Sequence, residues 1–165
     1  MKKHLTLLSF CLIALLFNSC KKGSSDGGVE AVSYYMTFKV DGVAQSVAST
    51  PYAVLHKDEN VIYLFGPLNN QNGAFTIDIF SSQLGTYPTQ QDPTFKNNVF
   101  MEYYTDYGDG SVYYGRSGTV TITEITSTTL SGTFQFTATN APSNSLAATK
   151  TITEGKFKVK FSTVN

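Results

Sequence analysis

The sequence predicts an all-β domain, because apolar and polar residues alternate with a period of two, turn residues separate these runs, and charge is sparse. In the first run Met36, Phe38 and Val40 occupy alternate positions, and Asp41-Gly42 follows as a strong hairpin signal. Charged residues make up 15% of the chain, below the roughly 25% of an average domain. Its 12 Phe and 10 Tyr favour strands. No window has the period of about 3.6 residues that marks an amphipathic helix.

The alternating runs and the turns between them divide the domain into short strands. The predicted strands are 34–40, 43–49, 52–56, 61–65, 74–80, 99–105, 111–115, 118–125, 130–138 and 151–162. Ser81–Asn98 is predicted to be a long loop, and the last hairpin is predicted to turn near Glu154-Gly155. The pattern favours an antiparallel β-sandwich of about 9–10 short strands. An up-and-down, lipocalin-like barrel is the alternative, since both architectures alternate in the same way.

Four glycines each come just before, or just inside, an alternating run. They are Gly73, Gly118, Gly132 and Gly155. Their spacing is irregular, so they do not mark a solenoid repeat. Glycine beside or inside a strand pattern indicates the entry of a strand after a turn, or a bulge. We therefore expect each of them to lie at a strand entry or a bulge.

Residues 1–19 resemble a lipoprotein signal peptide. A basic start precedes the apolar run Leu5–Phe17, which is shorter than the about 20 residues of a transmembrane helix. Ser19-Cys20 resembles the box in which the cysteine becomes the lipidated N-terminus. We expect Cys20 to carry acyl chains such as palmitate and to anchor the protein in the cell envelope, at the outer membrane. Residues 20–33 then form a flexible tether, and 34–165 form a single β-domain.

Several segments of the domain resemble one family. Gly118–Ile125, Leu130–Ala138 and Ile152–Phe161 share an alternating pattern rich in threonine and phenylalanine, and Phe38–Gly42 reads Phe-Lys-Val-Asp-Gly. These segments are similar to a family of uncharacterised cell-envelope lipoproteins of Bacteroidota. The resemblance implies an all-β domain on a lipid anchor. It does not specify whether the domain lies on the periplasmic or on the outer face of the outer membrane. The family has no established activity, so the resemblance implies no catalytic residue.

Residues suited to catalysis or metal binding are few in the domain. His56 is its single histidine, and no nucleophile-elbow motif accompanies it. Asp78 and Glu102 alternate with apolar residues, so we expect them to face solvent. Asp106 and Asp109 lack the spacing of a calcium loop and indicate a hairpin turn. The sequence therefore predicts no enzyme, no metal site and no cofactor.

A cluster of tyrosines is the candidate binding surface. It lies in the predicted hairpin 99–115 and in the loop before it, and its members are Tyr87, Tyr103, Tyr104, Tyr107, Tyr113 and Tyr114. Tyrosine supplies rigid, amphipathic contact area. A net charge of zero does not suggest nucleic-acid binding. We expect a non-enzymatic module that binds a glycan or a protein partner, with a lipocalin-like carrier of a small apolar ligand as the alternative. The oligomeric state is left open.

Overall fold

The structure is a computed structural model, which describes residues 32–68, 73–89, 98–106, 111–140 and 148–165. These residues form strands and no helix. The strands are β1 Tyr35–Val40, β2 Val43–Ser46, β3 Tyr52–His56, β4 Val61–Pro67, β5 Ala74–Ile79, β6 Gly85–Pro88, β7 Val99–Asp106, β8 Ser111–Ile125, β9 Thr129–Thr139 and β10 Thr149–Val164. The predicted signal peptide and Cys20 lie outside the described residues, as does the tether up to residue 31.

Seven of these strands close into a barrel. The ring runs β3-β4-β5-β7-β8-β9-β10, and β10 returns to β3. Every neighbouring pair is antiparallel except β3 with β10, where Ala53 lies opposite Phe161 in a parallel register. An odd number of strands cannot alternate in direction all the way round a ring. One parallel pair is therefore a geometric requirement of this closure.

The ring closes because β8 and β10 are long enough to share one edge between two partners. β8 has 15 residues and pairs with β7 through its first part and with β6 at 119–122. β10 has 16 residues and pairs with β1 at 152–158 and with β3 from Lys160 onward. The strands β1, β2 and β6 thus extend the barrel. The prediction of an all-β domain is confirmed, and the closed ring fits the lipocalin-like alternative more closely than the sandwich that the sequence favoured.

The strand boundaries differ from the prediction at three places. The predicted loop Ser81–Asn98 contains the strand β6, while residues 90–97 lie outside the described part of the chain. β8 is one strand with a register shift between Gly115 and Ser117, where two strands were predicted. Glu154 has a φ of 54° and lies at a register shift inside β10, so the predicted turn is wrong. A bulge absorbs an extra residue without ending the strand, which explains both differences.

The interior of the barrel is filled by aromatic side chains. The ring centroid of Phe75 lies 4.8 Å from that of Phe134, 5.1 Å from that of Phe38 and 5.4 Å from that of Phe136. Phe157 continues the cluster, 6.3 Å from Phe134. All five rings are buried. A barrel of about eight strands either fills with its own side chains or holds one small ligand, and these five rings fill the interior of this ring of seven strands.

Candidate functional site

The structure separates the six tyrosines of the predicted binding surface. Tyr87 is only 7% exposed; its hydroxyl donates to the carbonyl oxygen of Gln83 at 2.8 Å and accepts from the hydroxyl of Ser81 at 2.9 Å. Tyr103 is 6% exposed and belongs to the core. Both therefore serve packing in this structure. Tyr107 lies outside the described residues.

The remaining three tyrosines occupy the predicted hairpin, which β7 and β8 form. Tyr113 pairs with the core residue Tyr103 and packs partly buried against the interior, with the Nζ atom of Lys150 6.0 Å from its ring centroid. Tyr104 and Tyr114 are half-buried and lie on the outer surface of the barrel, on the same side as Glu102. Two members of the cluster thus share one outer face.

That outer face is built from two cross-strand rows of side chains. Its first row is Tyr52, Phe65, Thr76, Glu102 and Tyr114, which are register partners across β3, β4, β5, β7 and β8. Its second row is Val54, Tyr63, Asp78 and Phe100. We call these two rows the aromatic face. Each strand directs its other side chains into the core, because side chains alternate across a sheet.

Rings occupy both ends of the aromatic face. At one end, the centroids of Tyr52 and Phe65 lie 5.5 Å apart, and Tyr63 meets the ring of His56 edge-on at 5.0 Å. At the other end, Phe100 and Tyr114 lie 6.1 Å apart. Tyr52 is 47% exposed and Tyr63 is 37% exposed. The face therefore has exposed rings at the end of Tyr52 and Tyr63, and half-buried rings at the end of Phe100 and Tyr114.

The two carboxylates at the centre differ in their surroundings. Glu102 accepts hydrogen bonds from the hydroxyl of Tyr104 at 2.7 Å and from that of Thr76 at 3.2 Å. Asp78 is half-buried between Tyr63 and Phe100, and within the described part of the chain its carboxylate accepts no hydrogen bond and forms no ion pair. Burial, and then the negative charge of Glu102, raise the pKa of Asp78 to about 6. Glu102 is thus held in place, whereas Asp78 is open to a ligand.

Tyr63 is held in position by a carboxylate of its own. Its hydroxyl donates to Oε2 of Glu59 at 2.8 Å. This hydrogen bond is the main cause that raises the pKa of Tyr63 to about 12, followed by burial and by the charges of Glu59, Asp78 and Asp58. Tyr63 consequently stays neutral at physiological pH, with its ring fixed beside Asp78.

The opposite outer face of the barrel has a different chemistry. There, β8, β9, β10 and β1 form an open groove of about 520 Å³ over the bulge at Gly155, lined mainly by Thr37, Thr121, Thr133 and Lys156. A neighbouring groove of about 390 Å³ lies over β1 and β2. These surfaces carry hydroxyl and amine groups and the carboxylate of Glu154, and in their described lining no exposed ring. Pairs of neighbouring rings therefore distinguish the aromatic face from these two grooves.

Sequence reasoning missed most of the aromatic face, although a signal for it exists. Phe65 and Phe100 are large apolar residues on the outward phase of their strands, next to the buried Leu64 and Met101. A large apolar side chain at an outward-facing position of an alternating strand is a signal that the outer surface there has a role beyond supporting the sheet. Asp78 was correctly expected to point outward. Its place between two rings depends on register, which the sequence does not specify.

His56 lies at the margin of the aromatic face, against Tyr63. Among the described residues, no group of three or more His, Cys, Asp or Glu side chains is arranged to hold a metal ion. The described segments also contain no helix that is long and apolar enough to cross a membrane.

Fold and site together define a small all-β protein, a closed seven-strand barrel with extra strands and an aromatic, acidic outer face. The chain belongs to the family described as "Domain of unknown function (DUF6252)", whose model matches residues 37–159. This agrees with the expected membership in an uncharacterised family. No curated protein and no solved structure matches the chain significantly.

Proposed function

We propose that this protein is a non-enzymatic binding module that holds a glycan on its aromatic face. The observation that carries the proposal is the unpaired carboxylate of Asp78, half-buried between the rings of Tyr63 and Phe100. Aromatic rings provide flat apolar contact for the C–H faces of a sugar. A carboxylate beside them accepts strong hydrogen bonds from sugar hydroxyls. Binding sites commonly combine such apolar surface with a few well-placed polar groups.

The size of the face favours a glycan over a protein partner. Strands lie about 4.8 Å apart, so the row from Tyr52 to Tyr114 spans about 19 Å, and the two rows are about 7 Å apart. A strip of these dimensions covers about 130 Å², whereas a stable protein interface buries about 800 Å² on each partner. A short oligosaccharide matches this footprint.

A lipocalin-like carrier is the second candidate, because the strands close into a barrel. The rings of Phe38, Phe75, Phe134 and Phe157 occupy the interior, so an apolar ligand would have to displace packed aromatic side chains. The described grooves of about 520 and 390 Å³ lie on the outside. Ligand binding on the outer face therefore requires no rearrangement of the core.

Alanine substitutions on the two outer faces test the proposed glycan site. We expect Tyr63→Ala and Phe100→Ala to lower the affinity for an oligosaccharide by about tenfold or more, since a central aromatic contact contributes more than 1 kcal/mol. Tyr35→Ala is the matched control, because Tyr35 is 42% exposed on β1, away from the aromatic face. An oligosaccharide array would identify ligands and calorimetry would give the affinities. Equal losses for all three variants, or no glycan bound at all, would refute the site.

We also propose that Cys20 anchors the module in the cell envelope, at the outer membrane. Support comes from the sequence: a basic start, a short apolar run and Ser19-Cys20 directly after it. Two or more acyl chains hold a protein stably at a bilayer, whereas one chain does so only marginally.

Replacing each of the two cysteines in turn tests the anchor. In a bacterial host we expect the wild-type protein to gain the mass of its acyl chains and to sediment with membranes, and Cys20→Ala to do neither. Cys11→Ala should behave as the wild type, because Cys11 lies within the predicted signal peptide. Intact mass and membrane fractionation measure both properties. Identical behaviour of Cys20→Ala and the wild type would exclude lipidation at this residue.

A further inference from the structure

We propose that the glycan held by the aromatic face carries a free, protonated amine, whose ammonium group lies against the Asp78 carboxylate between the rings of Tyr63 and Phe100. This inference rests on the proposed function and narrows its ligand class from glycans in general to amino sugars. It is argued from the register, the charges and the contacts of the described residues.

The first argument is the geometry around Asp78. Tyr63 on β4 and Phe100 on β7 are its direct register partners, each about one strand spacing of 4.8 Å away. A cation interacts with an aromatic ring when it lies within about 6 Å of the ring centroid. Because side chains of register partners project side by side, a cation at the Asp78 carboxylate would be flanked by the two rings. No uncharged sugar group gains from the carboxylate and from the ring faces in the same way.

The second argument is the sign of the charge around the site. Glu102, on the adjacent strand β7, is the charged group whose negative charge raises the pKa of Asp78. The negative charges of Glu59 and Asp58 likewise raise the pKa of the neighbouring Tyr63. Two nearby carboxylates disfavour each other's ionised form. A bound ammonium group offsets this repulsion, whereas a neutral ligand leaves it in place.

Two cations at the margins of the aromatic face have partners of their own. The Nζ atom of Lys57, in the turn between β3 and β4, donates to Oδ1 of Asn165 at 3.4 Å. The Nε atom of Arg116, beyond Tyr114 on β8, donates to the hydroxyl of Thr139 at 2.9 Å. Neither cation forms an ion pair with Asp78 in the described structure, so Asp78 depends on a ligand for a positive partner.

The third argument is the contrast with the opposite outer face. Lys156 and Lys158 project outward from β10 on that side, and Lys39 pairs with Glu154 at 2.7 Å. Lys160, by contrast, is the register partner of Tyr52 and lies at the end of the aromatic face. Like charges at a binding surface select against wrong partners. The opposite groove carries both signs of charge, with Glu154 and Lys156 in its lining, whereas the charges that act on Asp78 and Tyr63 are all negative. A cationic glycan therefore gains more at the aromatic face.

A pair of oligosaccharides that differ only in charge tests the inference. The free-amine tetramer of glucosamine and the neutral tetramer of N-acetylglucosamine would be titrated into the protein by calorimetry at pH 6.5, where the amine and Asp78 both carry charge. We expect the free-amine tetramer to bind at least about tenfold more tightly, and its advantage to shrink as salt is raised from 0.05 to 0.3 M. Asp78→Asn should abolish the difference while retaining binding of the neutral tetramer. Glu124→Gln, on the opposite face, should leave the difference in affinity between the two tetramers unchanged.

The outcomes separate the inference from the proposed function. Equal affinities for the two tetramers would overturn the inference and leave glycan binding intact. If neither tetramer binds and the oligosaccharide array shows no ligand, both the inference and the proposed glycan-binding function are refuted. A lysine tetramer that binds as tightly as the glucosamine tetramer would show that charge alone is recognised, which overturns the assignment to an amino sugar. Thermal melting of each variant ensures that a loss of affinity does not reflect unfolding.

Discussion

Replacing Gly118 with alanine is expected to destabilise the barrel by about 3–5 kcal/mol or to prevent folding. A Cβ atom at this position would lie 2.2 Å from the carbonyl oxygen of Gln135 and 2.5 Å from Cα of Phe136. Both atoms belong to the backbone of β9, which pairs with β8 at this point, so relief requires the two strands to separate. The φ of 142° at Gly118 adds conformational strain for any other residue.

Gly42→Ala is the matched control for this experiment. Gly42 also has a positive φ, 81°, but nothing lies within 4 Å of the position that its Cβ would take. Its replacement should lower the free energy of unfolding by about 1–2 kcal/mol, from backbone strain alone. Urea denaturation followed by circular dichroism measures both variants. If Gly118→Ala were no less stable than Gly42→Ala, the close approach of β8 and β9 would be disproved.

Asp78→Asn is expected to stabilise the protein at neutral pH. The pKa of Asp78 is about 6 in the folded protein, against 3.8 for the free group, so the folded state binds this proton more tightly than the unfolded state does. The contribution of this proton binding to the free energy of unfolding is complete below pH 4 and is lost as the pH rises through 6. The full shift corresponds to about 3 kcal/mol. Because Asp78 is partly exposed, we expect about 1–2 kcal/mol at pH 8 after allowance for solvent screening.

A pH series of denaturation curves measures this effect, and Asp41→Asn provides a control of opposite sign. Lys150 and the backbone N–H of Thr151 hold the pKa of Asp41 below its usual value. Asp41 therefore contributes stability that is present above pH 4 and lost as the pH falls further. The advantage of Asp78→Asn should grow from pH 4 to pH 8, whereas the deficit of Asp41→Asn should shrink below pH 4. Parallel curves for Asp78→Asn and the wild type would contradict the assigned environment of Asp78.

These experiments bear on function as well as on stability. A carboxylate that lowers the stability of its own fold and has no partner in the described structure is typical of a binding site, where selection favours ligand contact over stability. Asp78→Asn should then raise stability and lower selectivity for a charged glycan in the same variant. Opposite changes of this kind distinguish a ligand-binding residue from one that only supports the sheet.

The sequence by itself determined the features that arise within one strand or one turn. Asp41-Gly42 predicted the first hairpin, and both residues have positive φ there. Alternation with a period of two runs through the last strand, and Phe157 and Phe161 on its apolar phase are buried. Gly118 was expected at a strand entry or a bulge; it lies inside β8, one residue past the register shift between Gly115 and Ser117. Such features depend on residues a few positions apart, so the local pattern contains enough information to predict them.

Only the tertiary structure decided how the strands meet. The parallel pair of β3 with β10 closes the ring across more than a hundred residues of sequence, and the turn expected at Glu154 became a bulge because β10 continues along its partners. Register likewise placed Asp78 between Tyr63 and Phe100 and sent Tyr103 into the core, while its neighbour Tyr104 faces outward. A shift of one residue would exchange the two faces of a strand. The aromatic face is therefore a product of non-local pairing, which alternation alone does not encode.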